Sequence, residues 1–503
     1  MYVRKEFERV SPESVGIDSG DVEWLLDCLE SGFTEPHSLM IMRDGKICAE
    51  GWWEPYAPGI RHGLQSHSKT YAATAIGIAY TEGIVRLDEK IIDIFPEEAP
   101  ECPSDNLRKL TVHDVLCMGC GMDQMPKPTK QWIHDFLHMP VTHEPGTTFM
   151  YNSMGSSLLA AIIVKKTGLS LHEYLKPRLY DKIGILSDNH LWIKMPDGCE
   201  AGGGGLFATT EDNLRLMKLY ADGGIWDGER ILDEDYVKRA ISIQNTSATE
   251  SRNNPLAKDN FLGYGYQIWM CTPKGVYRAD GAMGQFTIVV PDQNMIIAIT
   301  ENASGAHWAQ NTLDLVWEFL KRIEHEKTDL KIENKEKAQH LKKRMRCLIL
   351  PKPDYHPYSP LAEHMPVSEW KVTNGNLYIE DVGMEQHLAG NEMDAPLSTF
   401  ELQFRENIVE LHWDYENRQK TAIIAMDGSR RHNLFSGGLT KQVLMSGAWE
   451  TENVLEVKAR YIETCNENTY RFIFRENRME INVNSSMNYG QPTNVTIEAE
   501  RIK

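Results

Sequence analysis

Apolar residues occupy nearly every face of the stretch from Leu64 to Tyr80, in which alanine, isoleucine and tyrosine recur. A helix without a polar face has to be buried, so this pattern predicts a helix in the core of the protein. Gly83 predicts where the helix ends, because glycine is favoured just beyond the last turn of a helix. Ser66 falls in the first turn of this helix.

The segments on either side of this helix predict an α+β fold. An Asp44-Gly45 turn between two apolar runs is typical of a hairpin. Strands at both ends of this region and helices in its middle predict one antiparallel sheet, built from both ends and flanked by helices that include a helical subdomain. The predicted strands are 38–43, 46–52, 262–270, 276–278, 285–290 and 295–300, and the predicted helices are 19–30, 112–118, 154–167, 210–220 and 308–323, with Ser19, Thr111 and Thr210 as capping residues.

A charged stretch separates this region from a second pattern. Lysine and glutamate dominate from Glu324 to Arg346, which is typical of a linker. Short alternating segments with turns follow it and predict an all-β barrel or sandwich. They are 375–380, 398–405, 409–413, 420–426, 453–461, 470–475 and 479–483. We therefore expect domains at 1–325 and 347–503, with a charged linker at 326–346.

Composition narrows the class of protein. The 503 residues carry a net charge of -19, which argues against nucleic acid as the main partner. Nine scattered cysteines fit a reducing compartment. The charged N-terminus shows no secretory signal, and no apolar run is long enough to span a membrane. We expect a cytoplasmic protein whose partner is a small-molecule or peptide substrate; its oligomeric state is left open.

Ser66 and Lys69 are the first candidates for chemistry. They are three residues apart, so a helix brings both side chains to one face. A serine hydroxyl becomes a nucleophile when a base takes its proton, and burial in an apolar helix lowers the pKa of a lysine toward that of a useful base. The S-x-x-K spacing alone fits equally well a helix-capping serine followed by a lysine that extends to solvent.

Tyr151 stands just ahead of the helix predicted to begin at Met154. The sequence leaves two interpretations open for it: a tyrosine of the core, or a phenol held at a site to transfer a proton.

Three further motifs carry little chemistry. A second S-x-x-K, Ser368 to Lys371, lies in a strand-and-turn context without an apolar helix behind it. Cys117 and Cys120 form a C-x-x-C without a second pair or a βαβ pattern, which favours two structural thiols. The run Gly202–Gly205 lacks the context of a phosphate-binding loop and predicts a loop whose backbone passes close to other backbone.

Residues 1 to about 325 resemble the serine β-lactamase and penicillin-binding protein superfamily, in particular its class C-like branch of esterases, D-aminopeptidases and nylon-oligomer hydrolases. Several collinear segments carry the resemblance, which makes it more specific than any single motif. They are 7–16, the S-x-x-K at 66–69, 110–116 followed by Cys120-Gly121, Pro145-Gly146 through the Y-x-[NS] motif at 151–153, 203–212 and 281–285.

The resemblance implies a role for each matching position. Ser66 is the expected acylated nucleophile, and Lys69 and Tyr151 share the proton transfers, with the general base left open between them. Ser153 takes the polar position two residues after the tyrosine. The backbone N–H groups of Ser66 and Ala282 are expected to form the oxyanion hole. No cofactor and no metal is required by this mechanism.

The third motif departs from the family pattern. Many members have K-T-G or H-x-G there, whereas this chain has Ala279-Asp280-Gly281, with Gly281 on the substrate and oxyanion side. A cation that would bind a substrate carboxylate is therefore missing. Arg278 is a doubtful substitute, because neighbouring residues of a strand point to opposite faces.

We therefore expect a serine hydrolase acting on an ester or amide through a Ser66 acyl-enzyme. The alternatives on the same site are an acyltransferase or transpeptidase, and a D-Ala-D-Ala carboxypeptidase or β-lactamase. A non-catalytic binding protein is the remaining alternative.

Overall fold

The chain folds into two compact units in the computed structural model, which describes residues 4–32, 34–248, 254–303, 309–325, 335–380, 387–388, 396–415, 418–435, 440–487 and 493–503. The first unit comprises Met1–Ile349 with Leu388–Gly390, and the second comprises Leu350–His387 with Asn391–Lys503. Each unit has a hydrophobic core of its own.

The strands of the first unit form a six-stranded antiparallel sheet and small accessory sheets. They are β1 Glu35–Arg43, β2 Lys46–Trp52, β3 His62–Gly63, β4 Leu191–Trp192, β5 Leu206–Ala208, β6 Ile225–Trp226, β7 Glu229–Arg230, β8 Trp269–Met270, β9 Tyr277–Gly281, β10 Gln285–Val290 and β11 Met295–Asn302. The main sheet has the order β2-β1-β11-β10-β9-β8, so strands from both ends of the unit are neighbours in it. The predicted α+β fold is confirmed.

The helices of the first unit are α1 Ser19–Ser31, α2 Ser68–Thr81, α3 Ile91–Ile94, α4 Asp105–Lys109, α5 Val112–Leu116, α6 Trp132–Leu137, α7 Ser153–Thr167, α8 Leu171–Leu175, α9 Asp181–Ile183, α10 Thr210–Ala221, α11 Glu234–Ala240, α12 Gln310–His325 and α13 Lys335–Met345. Helix α10 packs on β1, β10 and β11, and α2 packs on α7. The pair α2 and α7 lies at the centre of the core, since both helices are buried over most of their length.

Local sequence signals explain where several elements begin and end. Asp44 and Gly45 both adopt positive φ, at 51° and 75°, which is the geometry of a type I′ hairpin turn and confirms the predicted hairpin. Gly83, at φ 72°, follows α2 as predicted. Two capping predictions are wrong by one residue, because the side chains of Asp18 and Thr209, rather than Ser19 and Thr210, accept the first free N–H groups.

The strand predicted over 262–270 is largely absent. Only Trp269–Met270 is extended, because Gly263 and Gln267 adopt φ values of 112° and 57° that no regular strand allows. The segment is nevertheless buried, which explains why its apolar pattern resembled a strand. The residue predicted to start the last helix, Trp308, lies outside the described residues, and α12 begins at Gln310.

The described part of the charged stretch forms helix α13, which packs on α1 and β2. Lys337 Nζ lies 3.3 Å from Asp18 Oδ1, and Arg344 donates to Glu30 at 2.9 Å. Its charges thus pair with those of α1, and this part of the stretch belongs to the first unit.

The second unit is a closed β-barrel. Its elements are α14 Pro360–His364, β12 Val367–Asn374, β13 Thr399–Phe404, β14 Ile408–Tyr415, β15 Arg418–Ala425, β16 Arg431–Leu434, β17 Gln442–Thr451, β18 Val454–Tyr461, β19 Glu467–Arg475, β20 Arg478–Ser485 and β21 Asn494–Arg501. Nine strands follow each other in the order β15-β14-β13-β12-β21-β20-β19-β18-β17, and a parallel contact between Ala425 and Ser446 closes the ring. The all-β prediction is confirmed as a barrel.

Six of the seven segments predicted as strands in this unit correspond to strands, namely β13, β14, β15, β18, β19 and β20. The segment 375–380 is not a strand; its Leu377 makes only an isolated bridge to Leu397, and the strand lies just before it, in β12. Strands β16, β17 and β21 were not predicted. Strand β17 is buried at seven successive positions, so it shows little alternation.

Within the described residues, no single helix is both long and apolar enough to cross a membrane. The helices Ser153–Thr167 and Leu171–Ile183 reach that length and composition only as a pair, and the chain bends by 73° between them.

Candidate active site

Ser66 lies in a tight turn that leads directly into α2. Residues Gln65–His67 form a single turn of 3-10 helix, so Ser66 precedes the α-helix rather than lying in its first turn as predicted. Gln65 adopts a positive φ of 52°, an uncommon conformation for a residue with a side chain. Ser68 stabilises the turn, since its hydroxyl donates to Gln65 O at 2.6 Å and accepts from Leu206 N at 3.0 Å.

Lys69 is buried, with 1% of the residue exposed, and its Nζ lies 2.9 Å from Ser66 Oγ. Its other hydrogen bond goes to the carbonyl oxygen of Gly203. Burial lowers the pKa of Lys69 to about 7, and the negative charge of Asp280 opposes that shift. At neutral pH a large fraction of the amine is therefore unprotonated and able to accept a proton.

Tyr151 reaches the same hydroxyl from the segment just before α7. Its phenol is hydrogen-bonded to the side chain of Ser66. The ring stacks on Trp269 with centroids 5.7 Å apart, and Lys69 Nζ lies 4.9 Å from its centre. Burial raises the pKa of Tyr151, which outweighs the hydrogen bond from Ser66, so the phenol keeps its proton at neutral pH.

The glycine run Gly202–Gly205 holds Lys69 through its backbone. A Cβ on Gly203 would lie 2.1 Å from the carbonyl oxygen of Ser153, so only glycine allows this approach. Gly203 N donates to Ser157 Oγ at 3.0 Å, and its carbonyl accepts from Lys69. The predicted close approach of two backbones is confirmed, but the sequence did not indicate that this carbonyl binds Lys69.

The turn after β9 lies beside the Ser66 turn. A Cβ on Gly281 would lie 2.1 Å from Leu64 O and 3.1 Å from His67 N, so the end of β9 packs directly on the turn that carries Ser66. Ala282 follows in a half-buried position. The amide of Gln285 holds the turn, since its Nε2 donates to Met283 O at 3.1 Å and to Glu301 O at 2.7 Å.

Ser153 is the first residue of α7 and is half-buried. The helix is capped by Asn152, whose Oδ1 accepts from Gly155 N at 2.9 Å. Within the described residues, the Ser153 hydroxyl makes no hydrogen bond to Ser66 or Lys69. Its carbonyl, which packs against Gly203, is the part of Ser153 that shapes the site.

The third motif contains an ion pair that the sequence did not indicate. Arg278 Nε donates to Asp280 Oδ2 at 2.7 Å, because residues two apart in strand β9 share a face. Arg278 is fully buried and also donates to Met270 O and Asn260 Oδ1, at 3.1 and 2.8 Å. Its guanidinium is therefore occupied by the protein itself.

The remaining motifs are structural. Cys117 and Cys120 are buried free thiols, and burial raises the pKa of Cys117 to about 12, which makes it unreactive. Ser368 lies buried in β12, where it accepts a hydrogen bond from Trp370 Nε1 at 2.8 Å. No group of three or more potential metal ligands is found in the part of the chain that the structure describes.

A family model described as Beta-lactamase matches residues 37–316, more than half of the chain. The chain belongs to the beta-lactamase family. The matched segment contains Ser66, Lys69 and Tyr151, and it ends within α12.

Curated proteins with similar sequences are named as a hydrolase and as a carboxypeptidase. The 6-aminohexanoate-dimer hydrolase of Paenarthrobacter ureafaciens is 24% identical over 281 residues, 52% of this chain and 71% of that protein. A "Putative D-alanyl-D-alanine carboxypeptidase" of Salmonella paratyphi A is 22% identical over 380 residues, 58% of this chain and 85% of that protein.

Solved beta-lactamase-like structures share the fold. The "Putative 6-aminohexanoate-dimer hydrolase from Bacillus anthracis" superimposes with a TM-score of 0.50 at 18% identity, over 68% of this chain and 89% of that chain. The "putative beta-lactamase from Bacteroides dorei DSM 17855" does so with a TM-score of 0.51 at 15% identity, over 60% and 98%. The family match and the names of the similar proteins together identify the chain as a serine hydrolase of the beta-lactamase superfamily.

Proposed function

We propose that Ser66 is the nucleophile of an acyl hydrolase and that Lys69 is the base that activates it. The observation that carries this proposal is the 2.9 Å separation between Lys69 Nζ and Ser66 Oγ in a buried site. Because the Gly203 carbonyl takes one N–H of Lys69, the lone pair of the neutral amine is left free to face Ser66. The lowered pKa of Lys69 and the raised pKa of Tyr151 both favour the lysine as base.

The proton transfers of the acylation step follow from these positions. Lys69 accepts the proton of Ser66 as Oγ attacks the carbonyl carbon, and the oxygen or nitrogen of the leaving group takes a proton from the Tyr151 phenol. The proton that Lys69 took from Ser66 then passes to Tyr151, which replaces the proton given to the leaving group and restores both residues. The products are an ester on Ser66 and a free alcohol or amine. In the second step water attacks this ester and gives a proton to Lys69. Lys69 passes the proton to Ser66 Oγ as the acyl–oxygen bond breaks, which releases a carboxylic acid and restores the serine hydroxyl.

We assign the oxyanion hole to the backbone N–H groups of Ser66 and Ala282. The packing of Gly281 on Leu64 and His67 supports this assignment, because it brings the β9 turn next to the nucleophile. An N–H donor aimed at the developing oxyanion contributes on the order of 10²–10³ in rate. Ser153 is assigned to the wall of the substrate site.

The proposed substrate is an ester or amide of a small molecule or a short peptide. The names of the curated relatives support amide hydrolysis. Ala279 occupies the position at which many relatives carry a cation, and Arg278 is fully engaged, so recognition of a substrate carboxylate finds no support at this motif.

The experiment that tests the proposal is turnover of a short-chain chromogenic ester, combined with fluorophosphonate labelling located by mass spectrometry. Wild type should hydrolyse the ester and carry the label on Ser66, and Ser66→Ala should lose both. The matched control is Ser368→Ala, which changes the serine of the second S-x-x-K and should keep both. Equal turnover in wild type and Ser66→Ala would overturn the proposal.

We also propose that the enzyme works in a reducing compartment, consistent with a cytoplasmic location. In the described structure none of the nine cysteines forms a disulfide, and five of them are buried. Nine titratable thiols in the denatured, unreduced protein from its native host are expected; a lower number would contradict the proposal.

A further inference from the structure

The carboxylate of Asp280 stands in the proposed active site with one oxygen uncommitted. Asp280 precedes Gly281, and its side chain is 20% exposed. The next residue, Gly281, packs on Leu64 O and His67 N of the turn that carries Ser66, and the charge of Asp280 favours the protonated forms of both Lys69 and Tyr151. Oδ2 accepts from Arg278, whereas Oδ1 receives no hydrogen bond from any residue that the structure describes.

The partner of Asp280 is closed to ligands. Arg278 has no exposed surface, and its donors go to Asp280, Met270 O and Asn260 Oδ1. A substrate can therefore contact the Asp280 carboxylate but not the Arg278 guanidinium. Because the Arg278 guanidinium is too buried to bind a substrate anion, the pair presents only the Asp280 carboxylate, a hydrogen-bond acceptor, to the site.

A second buried carboxylate adds to the negative potential. Asp259 acts on Arg278 and on Asp280, and its oxygens accept from Thr272, Gln310 and Trp317. Around Arg278 there are thus two carboxylates and one guanidinium. Lys69 also acts on Asp280, and burial lowers the pKa of Lys69 to about 7. The two carboxylates therefore outnumber the guanidinium in this cluster, so its formal charge is negative.

We propose that Asp280 makes this site select substrates that carry a positively charged ammonium group near the scissile bond and reject those that carry a carboxylate there. The inference rests on the proposed function, since it names the substrate class of the same site. A hydrogen bond or close ion pair to a carboxylate in a partly buried position corresponds to about 10- to 100-fold in an equilibrium or rate constant.

Two matched substrate series test the proposal, because the ammonium group could belong to either side of the scissile bond. One series consists of p-nitrophenyl esters whose acyl chain ends in trimethylammonium, tert-butyl or carboxylate. The other consists of S-acetyl thioesters whose thiol carries the same three end groups. Trimethylammonium and tert-butyl have nearly the same shape, so their comparison isolates charge. The readout is the ratio of kcat/KM values within a series, in which any change common to all substrates cancels.

Trimethylammonium has no N–H, so only the ion pair with Asp280 acts on it. Wild type should prefer the cationic over the anionic substrate by about 10-fold or more in at least one series. Asp280→Asn should reduce that ratio about 10-fold, and 1 M salt should weaken it in wild type. The matched control is Asp292→Asn, an equal charge change in the exposed turn at the other end of β10, which should leave the ratio unchanged.

A wild-type ratio near one in both series, or a preference for the carboxylate, would overturn the proposal without any variant. So would an equal ratio in wild type and a folded Asp280→Asn. Fluorophosphonate labelling separates this failure from that of the proposed function. If Ser66 is labelled but the enzyme shows no charge preference, only the proposed role of Asp280 is wrong. If wild type shows neither label nor turnover, the proposed function and the role of Asp280 are both wrong.

Discussion

The α-carbon of Gly281 packs against the carbonyl oxygen of Leu64, so closely that a Cβ on Gly281 would lie 2.1 Å from that oxygen. The two residues belong to a sheet strand and to the turn that carries Ser66, which are far apart in sequence. This contact brings the turn that contains Ala282 next to the turn that carries Ser66, the proposed nucleophile, and it joins the sheet to the helical layer at the site of the proposed chemistry.

Gly281→Ala is expected to reduce kcat by about 10- to 1000-fold, because the backbone must move and displaces one donor of the proposed oxyanion hole. Ester turnover and circular dichroism of the purified variant measure the effect and check the fold. Gly59→Ala is the control, since nothing lies within 4 Å of a Cβ added there. Unchanged kcat in a folded Gly281→Ala would contradict the assignment of Ala282.

Tyr151→Phe is expected to reduce kcat by about 10²- to 10⁴-fold with little change in KM. The variant keeps the ring stacked on Trp269 and removes only the hydroxyl that is bonded to Ser66. Steady-state kinetics on the chromogenic ester measure the effect. Tyr264→Phe removes a neighbouring buried hydroxyl, which lies 3.5 Å from Gln267 Oε1, and should retain activity. Similar losses in the two variants would argue against a role of Tyr151 in proton transfer.

The rate of Ser66 acylation is expected to rise with pH through about 7 and to level off above it, because the pKa of Lys69 is lowered to about 7 and the neutral amine is the active form. Single-turnover labelling of Ser66 between pH 5 and 9 measures this profile. Lys69→Arg should abolish the rise in that range, since a guanidinium stays protonated. A rate independent of pH between 5 and 9 in wild type would exclude Lys69 as the titrating base.

Glu301→Gln is expected to lose less stability than wild type as pH rises from 5 to 8. Glu301 is buried beneath the β9–β10 turn, with Thr312 Oγ1 2.7 Å from its Oε1, and burial raises its pKa to about 8 from an ordinary 4.5. Between these values the native state binds the proton and the unfolded state does not, so stability falls with rising pH.

The expected difference between Glu301→Gln and wild type over this range is on the order of 3 kcal/mol, because the two pKa values leave the native state about one proton richer over most of it. Urea unfolding at pH 5 and pH 8, followed by tryptophan fluorescence, measures it. Glu318→Gln, an exposed change on α12, should behave as wild type. Parallel pH dependence in wild type and Glu301→Gln would show that Glu301 is already ionised in the native protein.

The elements that were predicted correctly are those with strong local signals. Helix α2 was found because its apolar composition leaves no polar face, and the β1–β2 hairpin because Asp44-Gly45 accepts positive φ. The irregular segment 262–270 was wrongly predicted as a strand, because its apolar pattern comes from burial and not from a repeating backbone geometry. Strand β17 was missed for a related reason, since burial on both faces removes the alternation that identifies a strand.

By itself, the sequence determined that a hydroxyl and an amine lie three residues apart at the start of a buried apolar helix, because this follows from their spacing and from the apolar pattern around them. It also determined two units, since each burial pattern is local. The tertiary structure alone decided what surrounds Lys69. The Gly203 carbonyl lies 134 residues away in the chain, and the lowered pKa of the amine comes from packing that no spacing encodes. Likewise, only the folded strand showed that Arg278 is buried and Asp280 partly open, because exposure is a property of neighbours in space.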